Sequence, residues 1–261
     1  MAITAALIKE LRERTWIGMM ECKKALEDSN GDIELAIEEL RKKWLAKAAK
    51  KADREAFEWG IRILTEGGKA FVVSVSCETD FLANSERFKT MLDAVVTFLK
   101  ENGPDSRDAA QSYIEQNYSL EMWENLQVKH YEVLEGWAAS HYVHSNAKLA
   151  AVVIAAAQAD EEKLKQVAMH ITAANPEYLS PEEISEEVVE KEKAIQLDMM
   201  KNDPKMEWKP DEVLLKIIEG KMGKFKSEIS LLEQGFVINP DMKVKDFLGS
   251  TKITSFVRYS I

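Results

Sequence analysis

The stretch VVSVSCETDFLANSERF, residues 72–88, constrains the fold more than any other part of the chain, because a strand ends and a helix begins within it. Val73, Val75 and Cys77 alternate with Ser74, Ser76 and Glu78, the period of two expected of a strand with one buried and one wet face. The alternation stops at Thr79. From Phe88 onward Phe88, Leu92, Val95, Val96 and Leu99 recur three or four apart, which is a helix face, and Asn84 or Ser85 is its N-cap. Thr79 to Leu82 therefore occupy a turn between two rigid elements. A large apolar side chain beside a carboxylate there fits a ligand contact, a partner contact, or Phe81 folded back over the core with Asp80 solvated. The local pattern favours the last, since a turn aromatic commonly staples a helix entry.

A second strand–helix unit echoes the first. Residues 147–156 read as a strand and 161–173 as a helix, and the spacing supports an internal duplication although residue identity between the two is low. The segment between them, 105–135, shows helical periodicity that includes Trp123, Leu126 and Val133.

Ahead of this core, three short helices are expected. Thr4 caps the first, with Ile3 as staple and Leu7, Ile8 and Leu11 inward. Gly18 precedes the second, whose inward face includes Met20, Ala25 and Leu26. Asp32 caps a third that carries Ile33, Ala36, Ile37 and Leu40. The segment RKKWLAKAAKKADR, residues 41–54, follows with seven cations against one Asp and reads as a solvated helical linker, since no aromatic or glycine pattern beyond Trp44 marks a nucleic-acid site. The expected division is a helical domain at 1–45, a basic linker at 46–54, a first core subdomain at 55–140 and a second at 141–261. Within the last, Ser180–Pro181 reads as a helix start, Ile184, Val188, Ile195 and Met199 mark one apolar stripe, and Val213, Leu214, Ile217, Ile218 and Phe225 mark another. KNDPKMEWKP breaks the two. An antiparallel helical hairpin at about 181–224 follows, and its narrow stripes predict an arm or a dimer contact. EISLLEQGFVI and KITSFVRYSI read as closing strands. The fold class is α+β.

Composition narrows the function. A formal charge of −10 over 261 residues opposes broad binding to a phosphate backbone, which needs clustered cations. Cys22 and Cys77 lie in no CxxC or zinc spacing, and two cysteines fit a reducing, cytoplasmic compartment. The amphipathic N-terminus lacks the pattern of a signal peptide, and the most apolar run, 147–159, is shorter than the about 20 residues a spanning helix needs. Cys77 with His144 would be a thiol nucleophile and base, but an inward strand cysteine is ordinarily a small buried hydrophobe. His130, His141, His144 and His170 make no metal spacing, and neither a P-loop nor GxGxxG is present. No enzyme, metal or cofactor is expected; the weight falls on binding and regulation.

Several stretches together resemble one family. LIKELRERT, GMMECKKALEDSNGDIELAIEELRK, CETDFLA, VAMHITAANPEYLSPEEISEEVVEKE and IIEGKMGKFKSEISLLEQGFV stand in the order found in bacterial translation elongation factor Ts, with the weakest correspondence between residues 100 and 140. The resemblance implies a guanine-nucleotide exchange factor that meets elongation factor Tu in its GDP-bound and nucleotide-free states, disrupts its magnesium site and promotes GDP release during elongation. It further implies a UBA-like N-terminal bundle and no contact with membrane or nucleic acid. A homodimer, or two copies of each protein, is compatible with it. The alternative is a helical-bundle adaptor without exchange activity.

The same resemblance assigns Thr79, Asp80, Phe81 and Leu82 to dislocation of the partner's magnesium, Met19 and Met20 to partner contacts from the helical domain, and His144 to a partner contact from the core. This chain departs from the family where Trp16 and Ile17 precede GMM, where Ser145, Asn146 and Ala147 replace small glycines after His144, and where it ends at Ile261 without the C-terminal helical module of some members.

Overall fold

The computed structural model describes residues 3–15, 17–51, 58–122, 124–145, 147–202 and 211–260. Trp16, Trp123, Asn146, the end of the basic linker from residue 52 and the break at 203–210 lie outside the described residues, as do the side chains of 44–51.

Helices α1 (Ala5–Thr15), α2 (Met19–Asp28) and α3 (Ile33–Lys51) share an apolar cluster of Leu11, Ile17, Cys22, Leu26, Ala36 and Leu40. The Leu7 N–H donates to Thr4 Oγ1 at 3.3 Å and the Leu35 N–H to Asp32 Oδ1 at 3.0 Å, the capping bonds the sequence predicts. Met20 does not turn inward. It is 79% exposed, because Cys22, Ala25 and Leu26 define the buried face of α2 and a residue two positions before Cys22 lies on the opposite side of the helix.

Two three-stranded antiparallel sheets form the core. The first has the order β1 (Glu58–Glu66), β2 (Lys69–Cys77), β3 (Gln127–Glu135); the second has the order β4 (Ala138–Val143), β5 (Leu149–Ala155), β8 (Ile253–Ser260). A single turn, α4 (Asp80–Ala83), and helix α5 (Glu86–Asn102) follow β2, and α8 (Glu161–Ala174) follows β5. Phe71, Val73, Val75 and Cys77 of β2 bury against Phe88, Leu92, Val95 and Leu99 of α5. Ala151 and Val153 of β5 do the same against Leu164, Val167 and Ile171 of α8. The opposite faces meet each other, with Ile61, Ile63, Ala70 and Val72 against Ala150, Val152, Ile154 and Tyr259. The layers thus run helix, sheet, sheet, helix, and the α+β class holds.

This layering overturns the wet face expected for β2: Ser74 and Ser76 are both fully buried. Their hydroxyls meet backbone, Ser74 Oγ accepting from the His130 N–H at 3.0 Å and Ser76 Oγ donating to the Gln127 carbonyl at 3.5 Å. The helical reading of 105–135 fails in its second half. Helices α6 (Arg107–Asn117) and α7 (Ser119–Met122) are present, but Gln127–Glu135 is strand β3. The ladder slips between Ser74 and Val75, whose partners are His130 and Val128, so Lys129 is the extra residue of a bulge. Inward Val128 and Tyr131 therefore stand three apart and imitate a helix period.

The remaining helices are α9 (Glu186–Lys201), α10 (Asp211–Ile229) and α11 (Val244–Leu248), with the short ladder of β6 (Gly235–Phe236) and β7 (Asn239–Lys243) before α11. Helices α9 and α10 share Val189, Leu197, Met200, Leu214, Ile217, Ile218, Met222 and Phe225. Ile195, Met199 and Val213, expected inward, are exposed. Ser180–Pro181 opens only a 3-10 turn; Ser185, accepting from the Val188 N–H at 3.4 Å, is the true cap of α9. Of EISLLEQGFVI, only Gly235–Phe236 is strand, whereas the final strand β8 forms as expected. No helix among the described residues is long and apolar enough to cross a membrane.

Candidate functional site

The tip between β2 and α5 is a built element. Thr79 caps α4, its hydroxyl accepting from the Leu82 N–H at 3.2 Å, and Ser85 caps α5 by accepting from the Phe88 N–H at 3.2 Å. Two caps in close succession turn the backbone sharply and leave adjacent side chains facing opposite ways. Leu82 is 8% exposed and belongs to the core cluster; Phe81 is 87% exposed. Phe81 is not folded over the core, and the burial of Leu82 holds it out. Asp80 is also exposed, in the first turn of α4, and the Asn84 side-chain amide donates to its carbonyl at 2.7 Å. Of the four tip residues, Thr79 and Leu82 shape the turn while Asp80 and Phe81 are presented to solvent.

Cys77, at the foot of the tip, is fully buried, and burial pushes its thiol up to about 12, with Glu124 and Glu58 adding to the effect. A thiol so far from ionisation at neutral pH is no nucleophile. Its proton goes instead to the Thr79 carbonyl at 3.4 Å.

His144 follows β4 and is exposed, its Nδ1 at 3.1 Å from the Tyr142 hydroxyl. The loop closes through His144 N–H to the Leu149 carbonyl and Ala147 N–H to the His144 carbonyl, both at 2.8 Å, with Ala147 at φ +52°. Lys148 in this loop donates to Glu58 Oε2 at 2.6 Å, and Glu58 stands opposite Cys77 in the β1–β2 ladder. The structure therefore brings the His144 loop and the foot of the tip to the same end of the paired sheets. Met19 and Met20, 53% and 79% exposed, belong to the helical bundle at the start of α2. Among the described residues no cluster of His, Cys, Asp or Glu is arranged to hold a metal ion.

An exposed aromatic on a capped turn, beside a loop that carries a histidine, leaves the family open on geometry alone. Comparison with known proteins closes it. The family model described as Elongation factor TS matches residues 78–261, starting at the foot of the tip. The protein named Elongation factor Ts from Histophilus somni (strain 2336) is 43% identical over 99% of this chain and 91% of its own length. Proteins of the same name from Haemophilus influenzae (strain PittEE) and Actinobacillus pleuropneumoniae serotype 3 (strain JL03) are also 43% identical over the same shares. The chain belongs to the elongation factor Ts family.

Sequence reasoning missed one residue that the structure places in the elongation factor Ts tip itself. The Glu78 and Thr79 backbone N–H groups donate to Glu124 Oε2 at 2.7 and 2.9 Å, and the Thr79 hydroxyl donates to Glu124 Oε1. Glu124 lies far along the chain, in a segment read as helix, where no local periodicity points to the tip. It also missed the joint made by Lys148 and Glu58, which spans two sheets and leaves no trace in local pattern.

Proposed function

We propose that this chain is a guanine-nucleotide exchange factor that binds elongation factor Tu, displaces its magnesium ion and releases GDP. The observation that carries the reading is Phe81, 87% exposed on a turn whose next residue is anchored in the core. Exposing a large aromatic to water costs transfer free energy unless a partner buries it. Magnesium ties the partner's nucleotide phosphates to its protein ligands and demands near-ideal octahedral geometry. An apolar wedge that shifts one ligand-bearing helix of the partner by about an ångström degrades such a site, and the diphosphate then loses its main counter-charge. Phe81 is the wedge, and Asp80 supplies a carboxylate that bonds backbone or cationic groups of the shifted arrangement.

Met19 and Met20 add adaptable thioether contacts from a UBA-like bundle, and His144 adds one from the core end that also carries the tip. The assembly is read as a helical domain at 1–45, a linker at 46–54 and two core subdomains at 55–140 and 141–261, with α9 and α10 as an antiparallel arm. That arm is a candidate contact for a homodimer or a complex of two copies of each protein. The setting is the cytoplasm, and no cofactor is required.

The experiment is stopped-flow release of a fluorescent GDP analogue from elongation factor Tu with and without this chain. Accelerated release supports the reading; unchanged release overturns it. Linkage adds a second measurement. If the chain weakens GDP binding, GDP weakens binding of the chain by the same factor, so calorimetric titration gives the lowest affinity with GDP and magnesium together and the highest with neither.

A further inference from the structure

We propose that Glu124 is a positioning residue for the tip: its carboxylate continues the β2–β3 ladder beyond the last backbone pair and orients the turn that carries Phe81. The role in exchange rests on the function proposed above; the clamp itself does not.

The β2–β3 ladder ends with Ser76 opposite Gln127. Past that point both strands still have N–H groups to satisfy, and a carboxylate from each side crosses to meet those of the other. Glu124 Oε2 accepts from the Glu78 and Thr79 N–H groups at 2.7 and 2.9 Å, while Glu78 Oε1 accepts from the Asn125 N–H at 2.9 Å. Side chains replace backbone carbonyls as rungs, with ionised acceptors that make stronger bonds than neutral ones.

The Thr79 hydroxyl then determines the direction of the tip. It gives its proton to Glu124 Oε1, so its lone pairs remain to accept from the Leu82 N–H at 3.2 Å. A chain of bonds runs from the Glu124 carboxylate through the Thr79 hydroxyl to the amide of Leu82, the residue that turns inward as Phe81 turns out. A helix of one turn does not hold itself in water, because nucleation fixes several residues for a single hydrogen bond. The tip needs an outside reference, and Glu124 supplies it.

That reference is itself fixed. Gln111 of α6 accepts from the Val128 N–H at 3.0 Å and donates to the Leu126 carbonyl at 2.9 Å, and the Arg107 guanidinium donates to the Val128 carbonyl at 2.9 Å. The connection from α7 to β3 is thereby tied to α6, and the aim of Phe81 is referred through Glu124 to a separate part of the first unit.

The test uses the full chain with Glu124→Ala, Glu124→Gln and Thr79→Val. In the free protein, hydrogen exchange at the amides of Glu78, Thr79 and Leu82 is expected to quicken by about tenfold or more in Glu124→Ala. In release of a fluorescent GDP analogue from elongation factor Tu, the rate at saturating exchange factor is expected to fall about tenfold while the half-saturating concentration stays within about threefold, the mark of a group that acts on the transition and not on docking. Glu124→Gln falls between the two, since an amide accepts from the N–H groups but offers a donor to the hydroxyl. Adding Glu124→Ala to Phe81→Ala slows release no further than Phe81→Ala alone, since both remove one wedge. If Glu124→Ala does not fold, Thr79→Val, which keeps the volume and loses the hydroxyl, decides through the Leu82 amide and the release rate. Unchanged amide exchange overturns the clamp. Faster amides with an unchanged saturating release rate overturn the positioning role. A wild-type chain that fails to accelerate release overturns the exchange reading, and amide exchange still decides the clamp.

Discussion

In the first strand–helix unit, β2 reaches α5 through residues 78–85, with a capped turn of helix and an aromatic side chain held in solvent. In the second, β5 reaches α8 through residues 156–160, with no large apolar side chain exposed and Asp160 alone as cap, its Oδ1 accepting from the Glu162 and Lys163 N–H groups at 3.0 and 3.4 Å. Both connections join a central strand to the helix that covers its sheet. The shorter one shows that a strand can reach its covering helix without an intervening helical turn. The extra turn in the first unit is anchored in the core through Leu82 and holds Phe81 out of it, an apolar exposure that the second unit does without.

Truncation inside the first unit gives the largest effect expected. Phe88→Ala removes a fully buried ring from the α5 face and should destabilise by about 3–5 kcal/mol in denaturant unfolding. Phe81→Ala, seven residues earlier, should leave the unfolding midpoint in place while slowing catalysed GDP release by about 2 kcal/mol or more in activation free energy. Gln158→Ala, in the corresponding connection of the second unit, should change neither. A slowed release with Gln158→Ala would erase the contrast between the two connections.

Acid should separate the units in a different way. In the second unit His170 Nε2 meets Gln234 Oε1 at 2.9 Å and its Nδ1 accepts from the Val237 N–H at 3.1 Å, so the neutral ring is fully used; burial lowers its pKa, and burial likewise lowers that of His141. A histidine whose folded pKa is depressed contributes stability that is complete above its unfolded value of about 6.5 and is lost as pH falls below it, at no more than about 1.4 kcal/mol per pH unit for each ring. Hydrogen exchange from pH 7 to 5, corrected for intrinsic rates, should show protection lost in α8 and β4 before α5 and β2. Equal loss in both would mean that neither histidine governs the second unit.

Smaller still are the caps. Ser85→Ala and Asp160→Ala should each lower stability by about 1 kcal/mol, and a cost in only one would show that α5 and α8 are not started by the same device. The smallest effect contrasts the two hairpin turns. Gly67 and Gly68 join β1 to β2 at φ +57° and +79°, whereas the β4–β5 loop has Ala147 at φ +52°. Relief of a left-handed alanine, less the entropy a glycine adds to the unfolded chain, should make Ala147→Gly more stable by about 0.5 kcal/mol in thermal unfolding.

What could be read from sequence was what is local. The strand ending at Cys77, the caps Thr4, Asp32 and Ser85, the α8 helix and the final strand all follow from spacing and from one polar side chain at a helix start. The rest failed where distant residues decide. Ser74 and Ser76 alternate like a solvated face, yet the second sheet covers them and backbone partners satisfy their hydroxyls. A bulge at Lys129 gave a strand the spacing of a helix. Phe81 and Asp80 were visible as an anomaly in a turn, but Glu124 was not, since a carboxylate that serves a loop 45 residues away carries no periodic signature. Met20 reads as inward with Ala25 and Leu26, but the buried face that includes Cys22 excludes it.

The pairing of β5 with β8 also has a consequence in time. Thr254 on β8 donates from its hydroxyl to the carbonyl of Ile154, 100 residues earlier in the chain. A ribosome adding about 5–20 residues per second needs roughly 5–20 s to make that intervening length. β1, β2 and β3 are all synthesised by Glu135, so the first sheet can close while the second waits with one side of β5 unpaired. During that interval the run of alanines, valines and isoleucine from Ala150 to Ala155 is an open template for any other strand in reach. Among nascent states, the half-made second sheet is where a holding chaperone would find its target.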